Sequence, residues 1–145
     1  MTFYSVEPEV AGGWGANTLA DRTGEGPTIV TRLHYEFDGW LGDELLEATP
    51  CFIVTEALGS KIVEAGLTGI ELGEVEVSTS DQFHDLHGDL HLPDFRWLRV
   101  HGVAYQQDFG LTSGALLIVS EPALKVLKTG NIAHADIAVA GPNES

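Results

Sequence analysis

The chain has 145 residues, 43% of them hydrophobic, and sets 22 Asp and Glu against 7 Lys and Arg for a formal net charge of −15. That length fits a single domain with one core, and no run approaches the ~18 consecutive apolar residues of a membrane span. The acidic balance repels nucleic-acid phosphate and anionic membrane, so neither is an expected partner.

Phe3 to Val10 alternates loosely as a strand, and Ala11 to Pro27, rich in Gly, Asn, Asp and Thr, reads as a long loop. Gly12, Gly13 and Gly15 do not make a phosphate loop, because no Gly-Lys-Ser/Thr follows them. Thr28 to Phe37 is rich in β-branched and aromatic residues and predicts a strand ending at the Asp38-Gly39 turn. Trp40 to Ala48 reads as a short helix with Leu41 and Leu45 on one face, stopped before Pro50. Cys51 to Val54 is a short apolar strand. Thr55 then sits at a helix N-cap with Glu56 in the first turn, and the helix runs to about Ala65, closed by Gly66.

Glu74 to Ser80 predicts a strand with one wet face, Ser78 to Asp94 a polar loop with one turn of helix, and Phe95 to Val103 a half-buried strand. Ala115 to Val119 is another apolar strand, followed by a helix over about Glu121 to Lys128 with Pro122 in its first turn. One domain over 1–137 is expected, with a flexible tail over 138–145.

Ile53-Val54-Thr55-Glu56 and Ile118-Val119-Ser120-Glu121 form the same device 65 residues apart. Ile62 and Leu127, Leu67 and Ile132, and Leu72 and Ile137 keep that offset. Each copy reads strand, hydroxyl cap, acid, amphipathic helix, short strand, because an abrupt strand-to-helix switch leaves four N–H groups in need of partners. The expected fold class is α+β: a mostly antiparallel, twisted sheet of about five to seven strands with two helices packed on it.

The charge is uneven. Between Arg32 and Arg96 lie 14 acids and one base, Lys61, which leaves −13 of the −15 in that segment. Such a face keeps a protein soluble, and it also suits a basic partner, since complementary charge speeds encounter.

No Gly-x-Ser-x-Gly elbow, His-Glu-x-x-His pair or dinucleotide fingerprint appears, and no catalytic set is expected. Cys51, the only cysteine, excludes an internal disulfide, fits a reducing compartment and reads as a small buried hydrophobe. The best metal-binding stretch is His84 to Asp94, where His84, His87 and His91 would share a helix face, although Gly88 and Pro93 oppose a stable helix. Trp40 and Trp97 read as core, and Trp14 as a plug over the core or an exposed anchor.

The run His34-Tyr-Glu-Phe-Asp-Gly-Trp-Leu-Gly-Asp43, the segment Cys51 to Glu56, and Asp108-Phe-Gly with Leu117 to Glu121, Leu124 and Leu127 resemble small bacterial immunity proteins of polymorphic toxin systems. The resemblance implies a cytoplasmic monomer or dimer, without catalytic residues or cofactor, that occludes a cognate and basic toxin domain. The acidic contact set expected on that basis is Asp38, Trp40, Asp43, Glu44 and Glu47 with Asp81, Asp85 and Asp89. The alternative is a metal-binding protein or metal-dependent enzyme using His84 to Asp94.

Overall fold

A computed structural model describes residues 2–21 and 28–140. In chain order these form β1 (Phe3–Glu7), β2 (Gly12–Trp14), β3 (Leu19–Asp21), β4 (Ile29–Phe37), β5 (Leu45–Ala48), β6 (Cys51–Thr55), α1 (Glu56–Glu64), β7 (Ile70–Gly73) and β8 (Val75–Thr79). There follow α2 (Asp81–His87), β9 (Phe95–Val100), β10 (Phe109–Leu111), β11 (Leu117–Ser120), α3 (Glu121–Leu127) and β12 (Asp136–Val139). The fold is mixed α+β.

Two four-stranded antiparallel sheets have the orders β5-β6-β9-β7 and β10-β11-β1-β12. They are the same unit built twice. Each runs hairpin, helix, return strand, with a fourth strand inserted between the hairpin and the return. In the first unit β9 is the insert; in the second the N-terminal β1 fills that place. The registers agree as well: Phe52, Leu98 and Leu72 form one cross-strand row, and Leu117, Val6 and Ile137 form its counterpart. Phe52 to Leu117 and Leu72 to Ile137 both keep the 65-residue offset read from the sequence.

The helix caps repeat too. Thr55 Oγ1 accepts the Leu58 N–H at 3.3 Å and donates to Glu44 Oε1 at 2.8 Å; Ser120 Oγ accepts the Ala123 N–H at 3.2 Å and donates to Asp108 Oδ1 at 2.6 Å. Each carboxylate then crosses to the other unit. Glu44 Oε2 accepts the Asn131 N–H beyond α3 at 2.6 Å, and Asp108 Oδ2 accepts the Thr68 N–H beyond α1 at 2.9 Å. Helix α1 packs beside α3 over a shared core of Leu58, Ile62, Leu124 and Leu127.

The remaining strands cover the opposite face of the first sheet. β4 pairs with β2 and β3 antiparallel and with β8 parallel. Side chains of the β5-β6-β9 layer therefore alternate between two cores: Leu45, Phe52, Val54 and Leu98 point to the helices, while Leu46, Ile53 and Trp97 meet Leu33, Tyr35 and Phe37 of β4. Burial on both faces explains why β6 reads as an unbroken apolar run.

Several expectations are corrected. One sheet of five to seven strands with two helices gives way to twelve strands in three sheets with three short helices among the described residues. The helix expected over Trp40 to Ala48 is a turn followed by β5, because Leu45, Leu46 and Ala48 are all buried and need a two-faced strand. The loop expected over Ala11 to Pro27 contains β2 and β3, and residues 22–27 lie outside the described residues. Ala138 and Val139, expected in the tail, pair with Ser5 and Tyr4 in β12, and residues 141–145 lie outside the described residues. Trp97 is core at 7% exposure; Trp14 and Trp40 are half-buried against the same cluster, and Trp14 Nε1 donates to the Ala48 carbonyl at 3.3 Å.

Candidate partner-binding surface

The stretch after β8, expected as a loop with one helical turn, instead forms the seven-residue α2, because Ser80 supplies an N-cap, its Oγ accepting the Phe83 N–H at 3.2 Å. The Ser80 N–H donates to the Phe37 carbonyl at 2.9 Å, which fixes the helix to the end of β4. Phe83 is the anchor, fully buried and edge-on to Phe37. Gly88, at φ +60°, ends the helix in a conformation that other residues rarely adopt.

The turn after β4 lies alongside. Trp40 donates its backbone N–H to His87 Nε2 at 3.2 Å and its indole N–H to the Asp43 carbonyl at 2.8 Å, and its ring meets Phe95 edge-on. The result is a surface on which Asp81, Asp85 and Asp89 stand exposed along and just after α2, with Asp38 and Trp40 half-buried beside it. Leu41 at 64%, Leu86 at 63% and Leu90 at 45% are exposed on the same elements. Asp81 to Asp94 contains four acids and no Lys or Arg.

The structure thus brings together Asp38, Trp40, Asp81, Asp85 and Asp89 from the expected contact set. The other three are used internally. Asp43 is fully buried: its Oδ1 meets His134 Nδ1 at 2.7 Å and its Oδ2 accepts the His134 N–H at 2.9 Å. Glu44 is spent on Thr55 and Asn131. Glu47 is half-buried on β5, where burial raises its carboxyl above the usual range despite a hydrogen bond from Thr49. The three exposed leucines escaped a reading that followed charge, although Leu86 and Leu90, four residues apart in a polar run, were the available signal.

The histidines of this segment do not converge. His84 Nδ1 donates to the Gly88 carbonyl at 3.2 Å while its Nε2 meets the Thr79 hydroxyl at 2.9 Å, and His87 Nε2 accepts from Trp40. The three-ligand group that does form, among the described residues, is Glu9, Asp43 and His134, with donor atoms within 4.8 Å of one another. Their hydrogen bonds are mutual: Glu9 Oε2 accepts the Leu41 N–H at 2.8 Å and Oε1 the Asp43 N–H at 3.3 Å, while Asp43 holds His134. A cation there would have to displace the Nδ1 proton. As built, the group clamps the turn before β5 to the segment after β1 and the loop before β12, and the hydrogen bond to Asp43 raises the His134 pKa.

Two further groups bear on chemistry. His34 Nδ1 accepts the Asn17 N–H at 3.2 Å, so the neutral ring carries its proton on Nε2 and donates to Ser78 Oγ at 2.7 Å. That is the reverse of a base activating a hydroxyl nucleophile. Cys51 is buried, and burial pushes its thiol up to about 12, so at neutral pH it is a protonated core residue.

No family model and no curated protein matches this chain. No helix among the described residues is long and apolar enough to cross a membrane.

Proposed function

We propose that this chain is an immunity protein that binds a cognate, basic bacterial toxin domain and occludes it with the surface formed by α2 and the turn at Asp38 to Leu41. The observation that carries the reading is the combination found there: exposed leucines framed by acids on a rigidly anchored helix. Interfaces concentrate their energy in a few apolar or aromatic anchors, and surrounding charge sets encounter rate and partner choice. Leu41, Leu86 and Leu90 fill the first role together with the half-buried Trp40; Asp38, Asp81, Asp85 and Asp89 fill the second. Inhibition by such a surface needs occlusion alone, in the cytoplasm of the producing cell.

The test is co-expression with the toxin-like domain encoded beside this gene. Growth should be restored by the wild-type chain, and a one-to-one complex should form more slowly as salt rises, because exposed charges are screened beyond ~8 Å at physiological ionic strength. A neighbour that is not toxic, or toxicity unaffected by the chain, refutes the reading.

A further inference from the structure

A second site lies away from α2, where the two units meet the start of β4. The β4–β8 ladder begins only at Leu33, opposite Val75. Thr28 to Arg32 therefore runs on past β8, with β3 on one edge and, among the described residues, no strand on the other. Along it opens a cleft of about 990 Å³, at the upper end of the volumes that hold small molecules. Its walls come from the start of β4, the β5–β6 turn, β9 and the β10–β11 hairpin, and they are mostly apolar, with Ile29, Val30, Pro50, Trp97 and Leu111.

One cation stands out in this cleft. Arg99 lies 4.6 Å over the Trp97 ring, which holds the guanidinium in place from below. Glu71, opposite it across the β7–β9 ladder and also at the wall, forms an exposed ion pair with it at 3.9 Å, too long for a hydrogen bond. The other arginines nearby are engaged: Arg96 Nε donates to the Gly73 carbonyl at 3.1 Å and Arg32 Nη2 to Glu76 at 3.2 Å. Among the described residues Arg99 alone of the three makes no hydrogen bond, which leaves its N–H donors available to an anion. His101 follows it two residues on, also at the wall.

We infer that this cleft binds a small apolar carboxylic acid, its hydrocarbon body between Ile29, Pro50 and Leu111 and its carboxylate taken by Arg99 in a bidentate pair. An apolar wall sets the affinity, and a positioned guanidinium with free donors selects a planar anion over a neutral head group. In a chain of net charge −15, Arg99 is the one Lys or Arg among the residues that line this cleft, and its only carboxylate contact among the described residues is the long pair with Glu71.

The probes are decanoate and decanol below their aggregation concentrations, titrated by calorimetry into the whole chain. Decanoate should bind at one site about tenfold more tightly than decanol. Arg99→Gln should abolish that preference while leaving decanol binding within about twofold, and Ile29→Asp, at an exposed site, should weaken both probes about tenfold. Near-UV circular dichroism of both variants checks that the Trp97 environment persists. Should Arg99→Gln fail to fold, Ile29→Asp together with the acid-to-alcohol ratio of the wild type still decides the matter. Absence of saturable binding, equal affinity for acid and alcohol, or a preference that survives Arg99→Gln overturns the inference.

Discussion

Glu44 and Asp108 stand in equivalent places in the two units, each accepting a hydrogen bond from the cap hydroxyl of its own helix and a backbone N–H from the loop beyond the other helix. Their backbones correspond as well, since the Glu44 carbonyl accepts the Thr55 N–H at 2.9 Å and the Asp108 carbonyl the Ser120 N–H at 2.8 Å. The pair ties each strand-to-helix switch to its partner, so α1 and α3 are fixed to each other through carboxylates as well as through their shared core.

Removing either acid leaves a cap hydroxyl and a loop N–H without acceptors. Asp108→Ala and Glu44→Ala are each expected to destabilise the fold by about 1–3 kcal/mol, read from urea unfolding at pH 7. Burial pushes the Asp108 carboxyl up, but the bonds from Ser120 and Thr68 outweigh it and hold the group below the usual range. Its contribution is therefore present above about pH 4 and is lost as pH falls through the lowered folded value. Asp108→Asn should flatten that acid limb in a pH series of urea midpoints.

His134 predicts the opposite slope. Its pKa is raised by the hydrogen bond it donates to Asp43, with Glu9 adding to the effect. The folded state thus favours the charged ring; the gain is complete below about pH 6.5 and fades as pH rises through the raised value. His134→Ala should remove the fall in urea midpoint across that window, with proton NMR of the imidazole giving the pKa directly.

Gly69 sits where the units touch, at φ +91°, with its carbonyl accepting from His101 and Gly102. A Cβ there would lie 2.1 Å from the Phe109 carbonyl oxygen, which belongs to backbone and cannot swing away. Gly69→Ala combines that clash with a disfavoured conformation and should cost at least about 2 kcal/mol in thermal or urea unfolding. Gly66→Ala, with open space around it, should cost less.

The duplicated helix device was legible in the sequence because it is local: a hydroxyl cap, an acid and an amphipathic stretch at one offset specify Thr55 with α1 and Ser120 with α3. What it cannot carry is the partner strand. β1 enters the second unit from the far end of the chain, and no pattern at Phe3 to Glu7 announces β11 as its neighbour. The misread stretch at Trp40 to Ala48 has the same cause, since spacing of Leu41 and Leu45 fits a helix until burial on two faces of Leu45 and Leu46 demands a strand. At the site, charge pointed to Asp81, Asp85 and Asp89 but also to Asp43 and Glu44, whose donors at His134 and Asn131 are about ninety residues away in sequence.

The proposed partner surface is tested most directly by calorimetric titration of the neighbour-encoded toxin domain with the wild-type chain and with Leu86→Ser/Leu90→Ser, exposed sites whose substitution leaves the Phe83 anchor in place. Two anchors worth about 1.4 kcal/mol each correspond to roughly 100-fold weaker binding for the double variant at unchanged stoichiometry. Equal affinity for the two proteins, or no complex with either, contradicts the account.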